Sequence, residues 1–138
     1  MKYAVRYFTK SKKGNTIKLA NVVEKVLNVE KKAVSHNLDE KTDVLFLINA
    51  MYAANIDKEV KTFLEKNKDN IGSLVNVSSS ASGKSTYNLV KKECDKNGIV
   101  ISDKEYHTAA SWIFINKDRP NEEDLRRLED FVKGFLNE

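Results

Sequence analysis

Cysteine, histidine and proline are close to absent from this 138-residue chain. A single cysteine, Cys94, excludes an intrachain disulfide and a thiolate metal cluster. It falls on the apolar stripe of a predicted helix beside Tyr87 and Val90, where a thiol is buried filler rather than a reactive group. The two histidines, His36 and His107, are far apart in sequence and have no second ligand at metal spacing, so no zinc site is expected. No apolar run approaches the length of a membrane span, and the first residues read as a strand instead of a signal peptide. A cytoplasmic protein with no membrane partner is therefore expected. A large excess of one charge is also missing, because 24 basic and 20 acidic residues leave a net charge of +4, evenly scattered. No basic stripe with interleaved aromatics occurs, which argues against nucleic acid as a partner. The mild positive balance favours acidic partners or anionic small molecules.

What is present suffices for one core. The chain is 41% hydrophobic and 32% charged, the balance of a globular protein rather than a disordered one. Its length fits a single domain over residues 1–138, without repeats or low-complexity linkers.

Hydrophobic patterning then sets an order of elements. Tyr3-Ala4-Val5 opens as a strand, and Ile17, Ala20, Val23 and Leu27 mark a helix beginning near Asn15. Lys32-Ala33-Val34-Ser35 reads as a short edge strand guarded by lysine. The run from Asp43 to Asn49 is apolar without alternation, as in a parallel strand covered on both faces. A loop from Ala50 to Asn55 precedes a helix marked by Ile56, Val60, Phe63 and Leu64. Ser73 to Ser78 reads as a second buried strand. It runs into the polar cluster Ser78 to Ser85, and a helix continues to about Asn97. Asn97-Gly98 stops that helix, and Ile99-Val100-Ile101 reads as the fifth strand. The segment Asp103 to Ser111 and the apolar piece Trp112-Ile113-Phe114-Ile115 follow. Pro120, the Asn121 cap and the acids Glu122, Glu123 and Asp124 announce a last helix with the stripe Leu125, Leu128, Val132, Phe135 and Leu136. Alternation of this kind implies one parallel sheet with helices on both faces, and a ligand crevice beyond the carboxyl ends of the strands.

The loop from Thr9 to Thr16 is the most informative of those meeting at that crevice. Opening amides of a helix lack intrahelical partners and sit at the positive end of its dipole. Thr9, Ser11 and Thr16 add hydroxyls, Lys10, Lys12 and Lys13 add positive charge, and Gly14 permits a tight curl. A phosphate suits such a corner; an ordinary polar turn with solvated lysines suits it equally.

Tyr7-Phe8-Thr9 and Gly14-Asn15-Thr16, with Ala20 in the helix behind them, resemble the aromatic-x-Ser/Thr lead-in and the Gly-Asn-Thr ending of the flavodoxin family. Arg119-Pro120-Asn121-Glu122-Glu123-Asp124-Leu125 is similar to the entry into that family's last helix, so the resemblance spans essentially the whole chain. It implies an α/β fold: a three-layer, doubly wound sandwich around a five-stranded parallel sheet in the order 2-1-3-4-5. It also implies flavin mononucleotide (FMN) as cofactor. By that resemblance the phosphate belongs on Thr9, Lys10, Ser11, Lys12, Lys13, Gly14, Asn15 and Thr16. The ring belongs between Ala50, Met51, Tyr52 and Ala53 on one side and Ser79, Ser80, Ala81, Ser82 and Gly83 on the other. His107 and Trp112 stand where the family also approaches the flavin. Two readings of Tyr52 stay open, a stacking partner for the ring or a half-buried loop anchor. Ala53 or Gly83 could admit a close backbone approach to the ring edge. Relative to the family pattern, the loop between Thr9 and Gly14 is longer and lysine-rich, and the serine-rich loop offers no second aromatic.

The implied function is electron transfer, shuttling electrons between redox partner proteins that dock transiently on a monomer. Direct reduction of a small substrate such as a quinone is a second possible job. A receiver domain of the phosphorelay type fails on chemistry, since Phe8-Thr9-Lys10 and Asn49 stand where acids are needed. A nucleotide-binding P-loop at Ser78 to Ser85 ends in Gly83-Lys84-Ser85 but starts with serine instead of glycine. The strongest rival is a flavodoxin-like domain that has lost FMN and acts as a binding module.

Overall fold

The apolar run without alternation becomes β3 (Thr42–Ala50), which hydrogen-bonds on one side to β1 (Tyr3–Tyr7) and on the other to β4 (Ile71–Ser80). Leu45, Phe46, Leu47 and Ile48 are completely buried. At about 1.5–3 kcal/mol for each such side chain, burial on both faces outweighs any local cap or turn in placing this strand at the centre. The computed structural model describes residues 1–10, 14–111 and 118–137. In it β2 (Lys31–Ala33) pairs with β1 at one edge and β5 (Tyr106–Ala109) with β4 at the other. Every ladder is parallel, and the strand order is 2-1-3-4-5.

Because side chains alternate across a strand, β3 feeds two separate cores. Leu45 and Leu47, with Leu74 of β4, pack under α2 (Lys58–Asn67) and α3 (Tyr87–Asn97), which contribute Val60, Phe63, Leu64, Val90 and Cys94. Phe46 and Ile48, with Val5, Val75 and Val77, pack under α1 (Asn15–Leu27) and α4 (Glu122–Leu136), which contribute Leu19, Val23, Leu128 and Val132. The result is the expected three-layer sandwich. Cys94 is fully buried, and desolvation pushes its thiol up to about 12, so it is core filler and not a nucleophile.

Two helices, α2 and α4, start at side-chain caps. The Asp57 carboxylate accepts the Glu59 amide at 2.9 Å to open α2. Asn121 and Asp124 form a reciprocal capping box at α4. Along α4 the expected stripe holds at Leu128 and Val132, while Leu136 is 44% exposed.

Two expectations along the sheet need correction. Ile99-Val100-Ile101 is not the fifth strand. Ile101 makes only an isolated bridge to Leu74, Val100 is 65% exposed, and the paired edge forms later, at Tyr106–Ala109. Ile99 is apolar because it joins the core beneath α2 and α3, with Ile101 packed against it, which mimics a strand pattern. Nor does β4 end at Ser78. It continues through Ser79 and Ser80, both buried, so the first part of the serine cluster is strand rather than loop.

Candidate ligand cleft

Parallel pairing brings the carboxyl ends of β1, β3, β4 and β5 to one edge of the sheet, and the chain that follows them walls a cleft of about 630 Å³. The loop after β1 contributes Thr9, Lys10 and Gly14 to Thr16. Ala50 to Ala53 come from the end of β3 and its turn, and Ser79 to Ala81 from the end of β4. Ala110 and Ser111 complete the wall. Three separated sequence segments are thus brought together as expected. Ser11, Lys12, Lys13 and Trp112 lie outside the described residues. Ser82, Gly83 and His107 are described but do not line the cleft.

At the first loop, α1 begins without a side-chain cap and with no acid in its first turn. In contrast, α2 and α4 carry both a capping side chain and acids. Among the described residues, no capping side chain or acid therefore offsets the positive end of α1, which suits an anion. Gly14 sits at φ −65°, ψ 157°, extended backbone open to any residue, so the expected tight curl is not what requires a glycine there. Thr16 is only 3% exposed. The Asn15 amide donates to the carbonyl oxygen of Ser111 at 3.2 Å and to its Oγ at 2.9 Å.

The second loop is a two-residue turn. Tyr52 and Asn55 exchange backbone hydrogen bonds of 2.7 and 2.9 Å, with Ala53 at φ +49° and Ala54 at φ +62° between them. This is the type I′ arrangement, which favours Asn and Gly; alanine in the left-handed region costs about 1–2 kcal/mol per residue. Tyr52 is half-buried, and three contacts hold it. Its ring meets Phe8 edge-on at 6.2 Å between centroids. The Lys10 ammonium lies 4.6 Å from its centroid, and its hydroxyl oxygen accepts the Lys10 amide at 3.3 Å. Tyr52 is thus a loop anchor that also lines the cleft.

Behind the third loop lies a closed polar triangle with no exposure at any corner. The Asn49 amide donates to Asn76 Oδ1 at 2.8 Å, the Asn76 amide to Thr86 Oγ1 at 3.0 Å, and the Thr86 hydroxyl to Asn49 Oδ1 at 2.6 Å. Ser78 Oγ accepts the Thr86 amide at 3.2 Å. These bonds lock the start of α3 to the ends of β3 and β4, so the loop between Ser80 and Thr86 is pinned at both ends. Of that loop, Ala81 lines the cleft and Ser82 and Gly83 do not. Ser80 Oγ donates to the Lys84 carbonyl at 2.8 Å, and Gly83 sits at φ +79°, where a side chain would be strained. Residues Ser78 to Ser80 being strand leaves no phosphate-wrapping loop of P-loop length.

The fourth wall adds two residues, Ala110 and Ser111, that were not among the expected site residues. Ala110 donates its amide to the Ser80 carbonyl at 2.9 Å and Ser111 to that of Arg119 at 2.8 Å. Arg119 in turn grips Asp124 with Nε–Oδ2 at 2.5 Å and Nη2–Oδ1 at 2.9 Å, and reaches Thr108 Oγ1 at 3.3 Å. Burial by itself raises the Asp124 pKa. The Arg119 hydrogen bond and the Asn121 amide outweigh it and hold the carboxyl below its usual range. His107 is exposed on β5, with Nδ1 2.8 Å from Glu105 Oε1. Ser85 Oγ donates to the other oxygen of the same carboxylate at 2.9 Å. Glutamate, not histidine, is the central member, so the cluster is not a nucleophile with its base.

Among the described residues, no group of three or more histidine, cysteine, aspartate or glutamate side chains could hold a metal ion, and no helix is long and apolar enough to cross a membrane. No protein-family model matches the chain, and no curated protein matches it. Solved structures do. An archaeal flavodoxin superposes with a TM-score of 0.71 at 13% identity, covering 99% of this chain and 97% of its own. A short-chain flavodoxin associated with a bacterial microcompartment gives 0.71 at 22% identity, with 99% and 98% covered. Oxidised flavodoxin 2 from Bacillus cereus gives 0.70 at 15% identity, with 99% of each chain covered. The chain therefore has the flavodoxin-like fold.

Proposed function

We propose that the cleft binds FMN and that the protein carries electrons between larger redox proteins. The observation that carries this reading is one convergence: the uncapped, acid-free start of α1 and the ring of Tyr52 line the same cleft. The first suits an anion, the second a planar aromatic system. A volume of about 630 Å³ lies within the ~300–1,000 Å³ usual for small-molecule sites. Ala50, Ala53 and Ala81 keep the walls between these two features low. The flavodoxin-like fold adds support by analogy.

In this reading Thr9, Asn15 and Thr16 hold the phosphate, and Tyr52 with the Ser79 to Ala81 segment brackets the ring. Once bound, FMN supplies one- and two-electron redox chemistry that no side chain of this cleft provides. The protein's own part is to bind and orient. Among the described residues, Lys10 and Tyr52 are the ionisable side chains of the lining, and no acid–base pair is present. That favours exchange with a protein over conversion of a small substrate. Docking of such a partner on a basic monomer is transient, electrostatic and weakened by salt.

A second reading has one observation in its favour. Lys10 already occupies the Tyr52 ring, as a binding module without flavin would allow. Titration with FMN, followed by quenching of flavin fluorescence and controlled with riboflavin, separates the two. Tight FMN and much weaker riboflavin binding support the carrier; binding of neither supports the module.

A further inference from the structure

We propose that Lys10 couples the two ends of the cleft. Its ammonium covers the Tyr52 ring, and an anionic group on the ligand draws it away, so that a planar aromatic system can take the uncovered ring. The ligand class, an aromatic ring carrying a phosphate, rests on the flavin reading; the coupling itself rests on the contacts of Lys10.

Those contacts are lopsided. The backbone of Lys10 is tethered, its amide donating to Tyr52 Oη at 3.3 Å. Among the described residues, the side chain meets the ring face at 4.6 Å and Asp57 Oδ2 at 3.7 Å, and it is 58% exposed. A cation over a ring at an exposed site shifts an equilibrium by about two- to fivefold, and the 3.7 Å pair joins an exposed ammonium to a carboxylate that is 17% exposed. A phosphate carries more charge than the Asp57 carboxylate and accepts stronger hydrogen bonds. The flexible four-carbon stem lets the ammonium follow it without moving the backbone.

Tyr52 does not have that freedom. Phe8 braces its ring edge-on, and the two turn hydrogen bonds to Asn55 fix its backbone. When the ammonium leaves, the ring stays in place. Attraction between the phosphate and Lys10 then offsets the cost of uncovering the ring. A ligand with the same ring but no phosphate must displace the ammonium with nothing in return.

The test is NMR of the full chain with ring-labelled tyrosine, the Tyr52 signals being assigned with Tyr52→Phe, during titration with inorganic phosphate. The expected result is movement of the Tyr52 ring signals in the wild type and none in Lys10→Ala. Riboflavin and FMN affinities give the second readout: Lys10→Ala tightens riboflavin about two- to fivefold and weakens FMN by a similar factor. Tyr52 signals that ignore phosphate, or that move equally without Lys10, overturn the proposal, as does parallel weakening of both flavins. If phosphate moves Tyr52 through Lys10 while FMN fails to bind, the coupling stands and the flavin reading falls. If FMN binds and Tyr52 ignores phosphate, the reverse holds.

Discussion

The side-chain amide of Asn15 donates to both oxygens of Ser111, at 3.2 Å to the carbonyl and 2.9 Å to Oγ, and so closes the cleft by joining the first turn of α1 to the chain beyond β5. Both residues line the cleft. Asn15→Ala removes two partly buried hydrogen bonds, each with a net value of about 1 kcal/mol. Urea unfolding should show a loss of about 1–2 kcal/mol. FMN affinity should fall by about tenfold, because the wall carrying Ser111 is no longer held against α1. Unchanged affinity with lowered stability would make the bond purely structural.

The turn after Tyr52 stores strain that can be released. Ala54 sits at φ +62° and is exposed, so its side chain contributes little packing against the left-handed cost. Replacing it with glycine removes that cost and adds back a smaller unfolded-state entropy penalty. Ala54→Gly should raise stability by about 0.5–1 kcal/mol, read from the urea midpoint at constant slope. A drop in stability would contradict the turn geometry.

Asp124 predicts a pH dependence with a definite sign. Its folded pKa lies below the ordinary 3.8, against the effect of burial, because Arg119 and the Asn121 amide favour the charged form. The unfolded chain therefore binds the proton more readily in acid. The contribution is fully present above the ordinary carboxylate range and is lost as pH falls through the folded value. Melting temperatures measured from neutral pH into that acid range should fall in the wild type. Asp124→Asn should start less stable by about 2 kcal/mol, because it weakens the Arg119 pair and the cap together, and should lose less of its remaining stability on acidification. Parallel curves would remove Asp124 from the account.

Most of the fold was legible in the sequence, for reasons that differ by element. β3 could be read because both of its faces are buried, so apolar residues follow one another without alternation from Val44 to Ile48. α4 could be read because its cap is chemical: Asn121 and three acids announce it before any packing is considered. β5 was hidden because it is stabilised by polar and aromatic partners. Tyr106 packs on Phe131 and donates its hydroxyl to the Asp124 carbonyl at 2.6 Å, and of its four residues Thr108 alone is buried. Misplacing β5 at Ile99 to Ile101 also hid Ala110 and Ser111, since a cleft wall is found by following the correct strand to its end. The serines of β4 misled in the opposite direction. Ser78 to Ser80 look like loop residues, yet the sheet and the Asn49–Asn76–Thr86 triangle satisfy their surroundings and allow them to be buried.

FMN binding in the cleft is read from where the flavin touches the chain. Amide chemical shifts of the isotope-labelled protein, recorded during FMN titration, should move at Thr9, at Gly14 to Thr16, at Met51 and Tyr52, and at Ser79 to Ala81. A second groove of about 670 Å³, lined by Met1, Val100 and Leu136 at the opposite end of the sheet, should stay silent. Shifts confined to that groove, or no shifts at all, would contradict the account.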